Sequence, residues 1–319
     1  MKLLARKLVY LFVMLFIISL ISFIAINAAP NSFFASGELN PNITPESIEQ
    51  LKAIYGLDKP LYIQFFSWFS AILQLDFGIS FASGSMVKDE ILSRIPITLT
   101  INIISMFFIF IISLYLGIKS ALNKNSFFDR FTGQLSLLSF SMPSFYLALI
   151  LVLVFAVNFE ILPIAGLHSV ADDGSLDYYL DFAWHLILPI SIMIFGGIGS
   201  LSLYIRSLTI EILKSDYIFF ARARGLDDKK ILRYFILPNL YPPIITMLGL
   251  SLPGIIGGSV ILETIFSIDG MGLLFFQSAL SHDYPVIMGI LIIGAFLTLI
   301  GNMIADLVLL KLNPNYKDS

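Results

Sequence analysis

The sequence contains no cysteine. That excludes disulfide frameworks, thiolate zinc sites, cysteine nucleophiles and iron–sulfur ligation together. Charge is also scarce, at 13% of the 319 residues, about half the ~25% usual in a soluble domain. With 57% hydrophobic residues and 29 Phe, too few polar groups remain to clothe a water-facing surface, and a soluble enzyme is excluded. The formal charge of -3 (19 basic against 22 acidic residues) offers no basic surface for nucleic acid. No G-x-x-x-x-G-K-[ST] phosphate loop, H-E-x-x-H helix or G-x-S-x-G elbow occurs, so the usual signatures of nucleotide, metalloprotease and serine-hydrolase chemistry are missing. Only three histidines are present, His168, His185 and His282. They lack the i, i+4 spacing of a metal helix and read as loop or interfacial residues, with a transient metal contact at the outer mouth as the alternative.

What the sequence does have is long apolar runs. A bilayer core about 30 Å thick takes roughly 20 apolar residues in a helix. Six runs meet that length: Leu8–Ala29, Pro96–Ile118, Gln134–Asn158, His185–Ser207, Leu240–Leu262 and Pro285–Leu310. The reading is an all-α integral membrane protein with six transmembrane helices, because only helices and closed barrels satisfy the backbone in lipid. The first run exceeds the 7–15 residues of a signal-peptide core and is read as a retained anchor. Basic residues concentrate at the N-terminus (Lys2, Arg6, Lys7), in the 119–133 loop (Lys119, Lys124, Arg130), in the tail (Lys311, Lys317) and above all in 206–238. That last stretch holds Arg206, Lys214, Arg222, Arg224, Lys229, Lys230 and Arg233, whereas the loops at 159–184 and 263–284 hold no Lys or Arg. The bias predicts cytoplasmic termini.

The expected organisation is an anchor span over 1–29, an external helical loop over 30–95, a five-span core over 96–310 with a cytoplasmic loop at 216–238, and a cytoplasmic tail over 311–319. In the external loop, Thr44 reads as an N-cap and Gly56 as a stop. Asp58 reads as the cap of an amphipathic helix from Pro60 to about Leu75.

The middle of every run is free of charge, with Arg206 placed to snorkel to the cytoplasmic face. A proton- or sodium-coupled carrier therefore lacks its usual intramembrane relay, and energy for uphill transport must come from outside this chain. Small and helix-breaking residues gather in the later runs: Ser139, Ser141 and Pro143; Gly197 and Ser200; Ser251, Gly254, Gly257 and Ser259. Close helix packing is one reading. Lining of a polar translocation path is the other.

The cytoplasmic loop reads as a short helix over 216–224 ended by Gly225, with a second beginning near Asp227. Aromatic and basic residues are interleaved in it: Tyr217, Phe220, Ala221, Arg222, Ala223, Arg224. Exposed aromatics there call for a partner surface, with a basic helix on anionic lipid headgroups as the alternative. The loop resembles the E-A-A-x-x-x-G-x9-I-x-L-P motif of ABC-importer membrane subunits. Ala221, Gly225, Leu237 and Pro238 match at the family spacing, while Phe219 and Phe220 stand for Glu-Ala and Phe235 for Ile. The form Ala221-Arg-Ala-Arg-Gly225-Leu226 is similar to the dipeptide/oligopeptide/nickel permease branch. So are Gly56-Leu-Asp-Lys-Pro-Leu-Tyr62, Asp76-Phe-Gly-Ile-Ser80, Arg94-Ile-Pro-Ile-Thr-Leu99, Glu263-Thr-Ile-Phe-Ser and Asp283-Tyr-Pro-Val286.

This resemblance implies the type I ABC importer fold and a permease subunit that is not itself an enzyme. It further implies three kinds of partner: a second homologous permease, two cytoplasmic ATP-binding subunits and an external or periplasmic substrate-binding protein. No cofactor is expected on this chain, ATP and Mg being held by the partner subunits. Tyr217, Phe220, Ala221, Arg222, Ala223, Arg224, Gly225, Asp227 and Pro238 would couple to an ATPase, and Glu263, Asp283 and Tyr284 would serve the outer gate or receive the binding protein. Peptides are the implied cargo, in a bacterial inner membrane, with nickel or a nickel chelate as the alternative in the family and a passive channel or scaffold as the distant one.

The basic bias yields a direct test. In this cysteine-free background, an impermeant thiol reagent added outside should label Ser169→Cys and spare Ser215→Cys; the reverse pattern would overturn the topology.

Overall fold

The computed structural model describes residues 2–28, 59–169, 174–257 and 259–312. The expected cap helix over Thr44–Gly56, together with Asp58, Asp172, Asp173, Gly258 and Lys317, lies outside them. Every named element among the described residues is a helix, with one isolated bridge pair, Ile79 and Met86, and no named strand. Four helices are long and apolar enough to cross a membrane, or five if a bent pair counts as one span. Four or five of the expected six are thus found among the described residues, and the apolar stretch Val9–Ala25 of the first helix is shorter than these spans.

The chain divides into two compact units. One takes Met1–Thr98, Ile256–Val260 and Asp269–Met303; the other takes Leu99–Ile255, Ile261–Ile268 and Ile304–Ser319. In the first, α1 (Lys2–Ala28) meets α2 (Leu61–Leu73). Phe65, Phe69 and Ile72 recur at helical spacing and form the buried face of α2, and Phe16 meets Phe65 and Phe69 edge-on at 5.6 and 5.3 Å. Quadrupole-matched contacts of this kind add to area burial. The start of α3 (Val87–Leu122), the short α11 (Met271–Leu280) and α12 (Tyr284–Leu312) close a second cluster through Val87, Ile91, Met271, Leu274 and Val286. A Cβ on Gly289 would lie 2.8 Å from Val87, so the helices meet there at glycine distance.

Three of the external motifs converge in this unit. Asp283, 1% exposed, accepts from the Ser80 hydroxyl at 2.5 Å and from the Phe81 and Ala82 amides at 3.2 and 3.1 Å. Arg94 reaches Asp269 at 2.7 Å, and the Met271 amide donates to Thr98 Oγ1 at 2.8 Å.

In the second unit, the run expected as one span over Gln134–Asn158 is broken. It forms α4 (Phe127–Ser141) and α5 (Ser144–Leu151), the latter continuing as a π-helical turn over Val152–Asn158. The two arms bend by 101°. Pro143 causes the break: it lacks an amide proton and forces the residue before it out of the helical region, and Met142 is extended at ψ 120. α6 (Leu176–Leu213) is longer than the expected His185–Ser207 and contains Pro189 without ending there. The loop helices α7 (Asp216–Ala223) and α8 (Asp228–Ile231) follow, and α9 (Leu237–Gly257) ends before the expected Leu262. Leu262 belongs instead to the separate α10 (Val260–Ile265).

Asp283→Ala would leave two amides and a hydroxyl without their buried acceptor, at a cost of about 1–3 kcal/mol for each unsatisfied group. A clearly lower melting temperature in detergent is expected, with Asp283→Asn intermediate. Equal melting of all three proteins would refute this role.

Candidate functional site

The loop after α6 is built as a stiffly mounted knuckle. Ser215 lies at the N-cap position of α7 in extended conformation. Gly225 ends the turn at φ +78, the left-handed region that glycine enters without penalty. The Leu226 amide bonds Ala221 O at 3.2 Å and the Gly225 amide bonds Arg222 O at 2.9 Å, which is the Schellman pattern. Asp227 then caps α8, accepting from the Lys230 amide at 3.2 Å.

The sides of α7 differ sharply. Ile218 and Ala221 are buried against Ile118 of α3, Leu201 and Ile205 of α6, and Ile231, Ile236 and Leu240. Phe219 and Phe220 are 69% and 60% exposed, in edge contact at 5.8 Å. Tyr217 stacks on Phe235 at 6.3 Å, and Arg222, Ala223, Arg224, Gly225, Asp227 and Pro238 are exposed. Arg222 comes within 3.7 Å of Asp228, but a pair this exposed contributes little. The knuckle is thus fastened by aliphatic groups beneath while presenting aromatic rings and guanidinium groups outward.

A second feature is a cavity of about 350 Å³. α6 contributes Met193, Gly197 and Ser200; α9 contributes Met247 and Ser251; α3 contributes Asn102, Ser105 and Met106. The expected path residues Gly197, Ser200 and Ser251 therefore meet. No ionisable side chain is among the described residues lining the cavity. Asn102 and Ser105 escaped the sequence reading, although an amide and a hydroxyl three residues apart share a helix face. Ser139 does not line the cavity. It is 2% exposed and donates to Phe195 O, while Gly199 lies so close to α4 that a Cβ there would come 2.6 Å from Ser136 O; both serve helix packing. Ser141 and Pro143 flank the exposed α4–α5 break. Gly254 and Gly257 belong to the last turns of α9, and Ser259 precedes α10.

Two expectations about charged and polar groups need correction. Arg206 does not simply snorkel. Its guanidinium makes two bonds to Asp129, at 2.6 and 2.8 Å, and Asp129 is only 5% exposed. A carboxylate this well enclosed persists because it has an ion partner and further donors. Nor is His185 a loop residue: it lies within α6 and is 5% exposed. His168 and His185 both face Asp181, at 3.9 and 3.4 Å, and His168 stacks on Tyr178 at 3.9 Å. Even so, no group of three or more His, Cys, Asp or Glu among the described residues could hold a metal ion. Of the expected outer residues, Glu263 is 3% and Asp283 1% exposed, and Tyr284 is half-buried.

With this geometry in view, comparison with known proteins gives a direct result. Residues 111–318 match the family described as binding-protein-dependent transport system inner membrane component, and residues 1–102 match its N-terminal counterpart. The chain belongs to this family and is a multi-pass membrane permease of the ABC-importer type. It is 35% identical over 298 residues to the oligopeptide transport system permease protein AppB of Bacillus subtilis, covering 93% of each chain. It is 32% identical over 318 residues to the oligopeptide transport system permease protein OppB of Haemophilus influenzae, covering 99% of each. It is also 30% identical over 320 residues to the metal-staphylopine import system permease protein CntB of Staphylococcus aureus, covering 99% of this chain and 98% of that one.

Gly225→Val would place a β-branched residue at positive φ, at a cost of about 1–2 kcal/mol. Faster amide exchange across 216–231 with unchanged exchange in α6 is expected. Identical protection in both proteins would show that the turn does not need glycine.

Proposed function

We propose that this chain is one of two permease subunits of an ATP-driven importer of dipeptides or oligopeptides. The observation that carries the reading is the knuckle, whose exposed aromatic and basic groups stand on a buried aliphatic base joined to α3 and α6. A surface of that kind transmits force from a docked partner instead of dissipating it in a flexible loop. The full-length likeness to oligopeptide permeases supports peptides as the cargo.

On this reading six spans leave both termini in the cytoplasm. Two ATP-binding subunits sit beneath and hold ATP and Mg, an external binding protein delivers the cargo, and this chain binds no cofactor and catalyses no reaction. Closure of the ATPase pair is carried through Tyr217, Phe219, Phe220 and the arginines to the shafts of α3 and α6. Alternating access is then a two-state equilibrium biased by nucleotide. The cavity bounded by Asn102, Ser105, Ser200 and Ser251 is part of the path. Glu263, Asp283 and Tyr284 serve the outer gate or receive the binding protein, Asp283 by holding the turn at Ser80–Ala82. A metal-chelate cargo is the second reading, favoured by the likeness to the metal-staphylopine permease.

Replacing Tyr217, Phe219 and Phe220 together with Ser should abolish co-purification of the ATP-binding subunits and ATP-dependent peptide uptake, with insertion unchanged. Retention of both would refute the docking role. Replacing His168, His185 and His282 should spare peptide uptake; nickel uptake that is present in the parent and lost in the variant would establish the metal reading instead.

A further inference from the structure

Three helices of the second unit meet at one carboxylate. Asp129, in the first turn of α4, accepts both arms of the Arg206 fork from α6. It also accepts from the Ser120 hydroxyl on α3 and, at 2.9 Å, from the Asn125 amide of the connecting turn. The position is far from arbitrary. Arg206 lies two turns before α6 ends and leads into α7, and Ser120 lies two residues from Ile118, which shares one buried cluster with Ile205 and with Ile218 and Ala221 of the knuckle. The same region of α3 and α6 therefore carries the knuckle below and the ion pair to α4 at its side. α3 and α6 also approach closely: a Cβ on Gly117 would lie 2.8 Å from Ser202 O and from Ile205.

Apolar side chains would hold three helices together without the desolvation cost of a buried ion pair. A bidentate fork supplies something they do not, a fixed direction and register. We infer that Asp129 and Arg206 are positioning residues that weld α4 to the α3–α6 shaft, so that movement of the knuckle is delivered to the bent α4–α5 arm instead of being lost as slippage between helices. This rests on the importer reading above.

The test uses the complete transporter, with its ATP-binding subunits and binding protein, reconstituted in vesicles and read as peptide imported per ATP hydrolysed. Arg206→Gln and Asp129→Asn should lower that ratio about tenfold, the size of a typical coupling free energy between sites, while ATP hydrolysis and subunit assembly persist. The exchange of both charges, Asp129→Arg with Arg206→Asp, should recover part of it. Should the single variants fail to accumulate, Asp129→Cys with Arg206→Cys, joined by a short bis-thiosulfonate linker, is read before and after reduction. Import per ATP that falls on reduction supports the weld, and an unchanged ratio overturns it, as does a normal ratio in the single variants. Absence of ATP-dependent peptide import in the parent protein would overturn the importer reading as well, and so separates the two failures.

Discussion

A polar group stranded in hydrocarbon costs several kcal/mol, and that single constraint organises this protein. Backbone groups are answered within helices. Where the helix breaks, side chains and neighbouring segments take over. Asp283 receives the amides of the Phe81–Ala82 turn, and Ser139 answers a carbonyl of α6. Asp129 is enclosed by a guanidinium, a hydroxyl and an amide. Each lies near the end of an apolar run or at a junction, where chain direction changes and the helical ladder alone is insufficient.

The knuckle follows the opposite rule. Ile218 and Ala221 are spent on anchorage while Phe219 and Phe220 remain outside. In a soluble monomer two adjacent rings so exposed would be a liability for association. Here they stand on a loop rich in arginine and lysine, which the proposed topology turns toward the cytoplasm. Anchorage below and exposed rings above are separate properties of one eight-residue helix, set by which residues fall on which side of its turn.

The apolar runs, the knuckle helix, its glycine stop and the start of the next helix near Asp227 were legible in the sequence because each depends on local periodicity or backbone chemistry. The family was legible too, from separated motifs in order. The break at Pro143 was visible as a residue but not as an angle, since prolines such as Pro96 and Pro189 sit inside helices that continue. The Asp129–Arg206 pair joins residues 77 apart, and nothing in either neighbourhood announces the other. The same holds for Asp283, whose partners lie some two hundred residues earlier. Ser139 could be read as lining or as packing, and only its bond to α6 decides for packing. Asn102 carries its own signal, a lone amide in an apolar run, which hydrogen-bonding capacity reveals and a pattern of small residues does not.

The cavity walls have a kinetic consequence. Thioethers from Met106, Met193 and Met247 are soft and conformationally adaptable, and the hydroxyls and the amide among them bear no net charge. Such a lining offers many shallow minima and no deep one. On the proposed reading of this cavity as part of the path, throughput depends on letting go as much as on admitting, so cargo would meet little there that retains it, and tight recognition would have to be accomplished before it arrives.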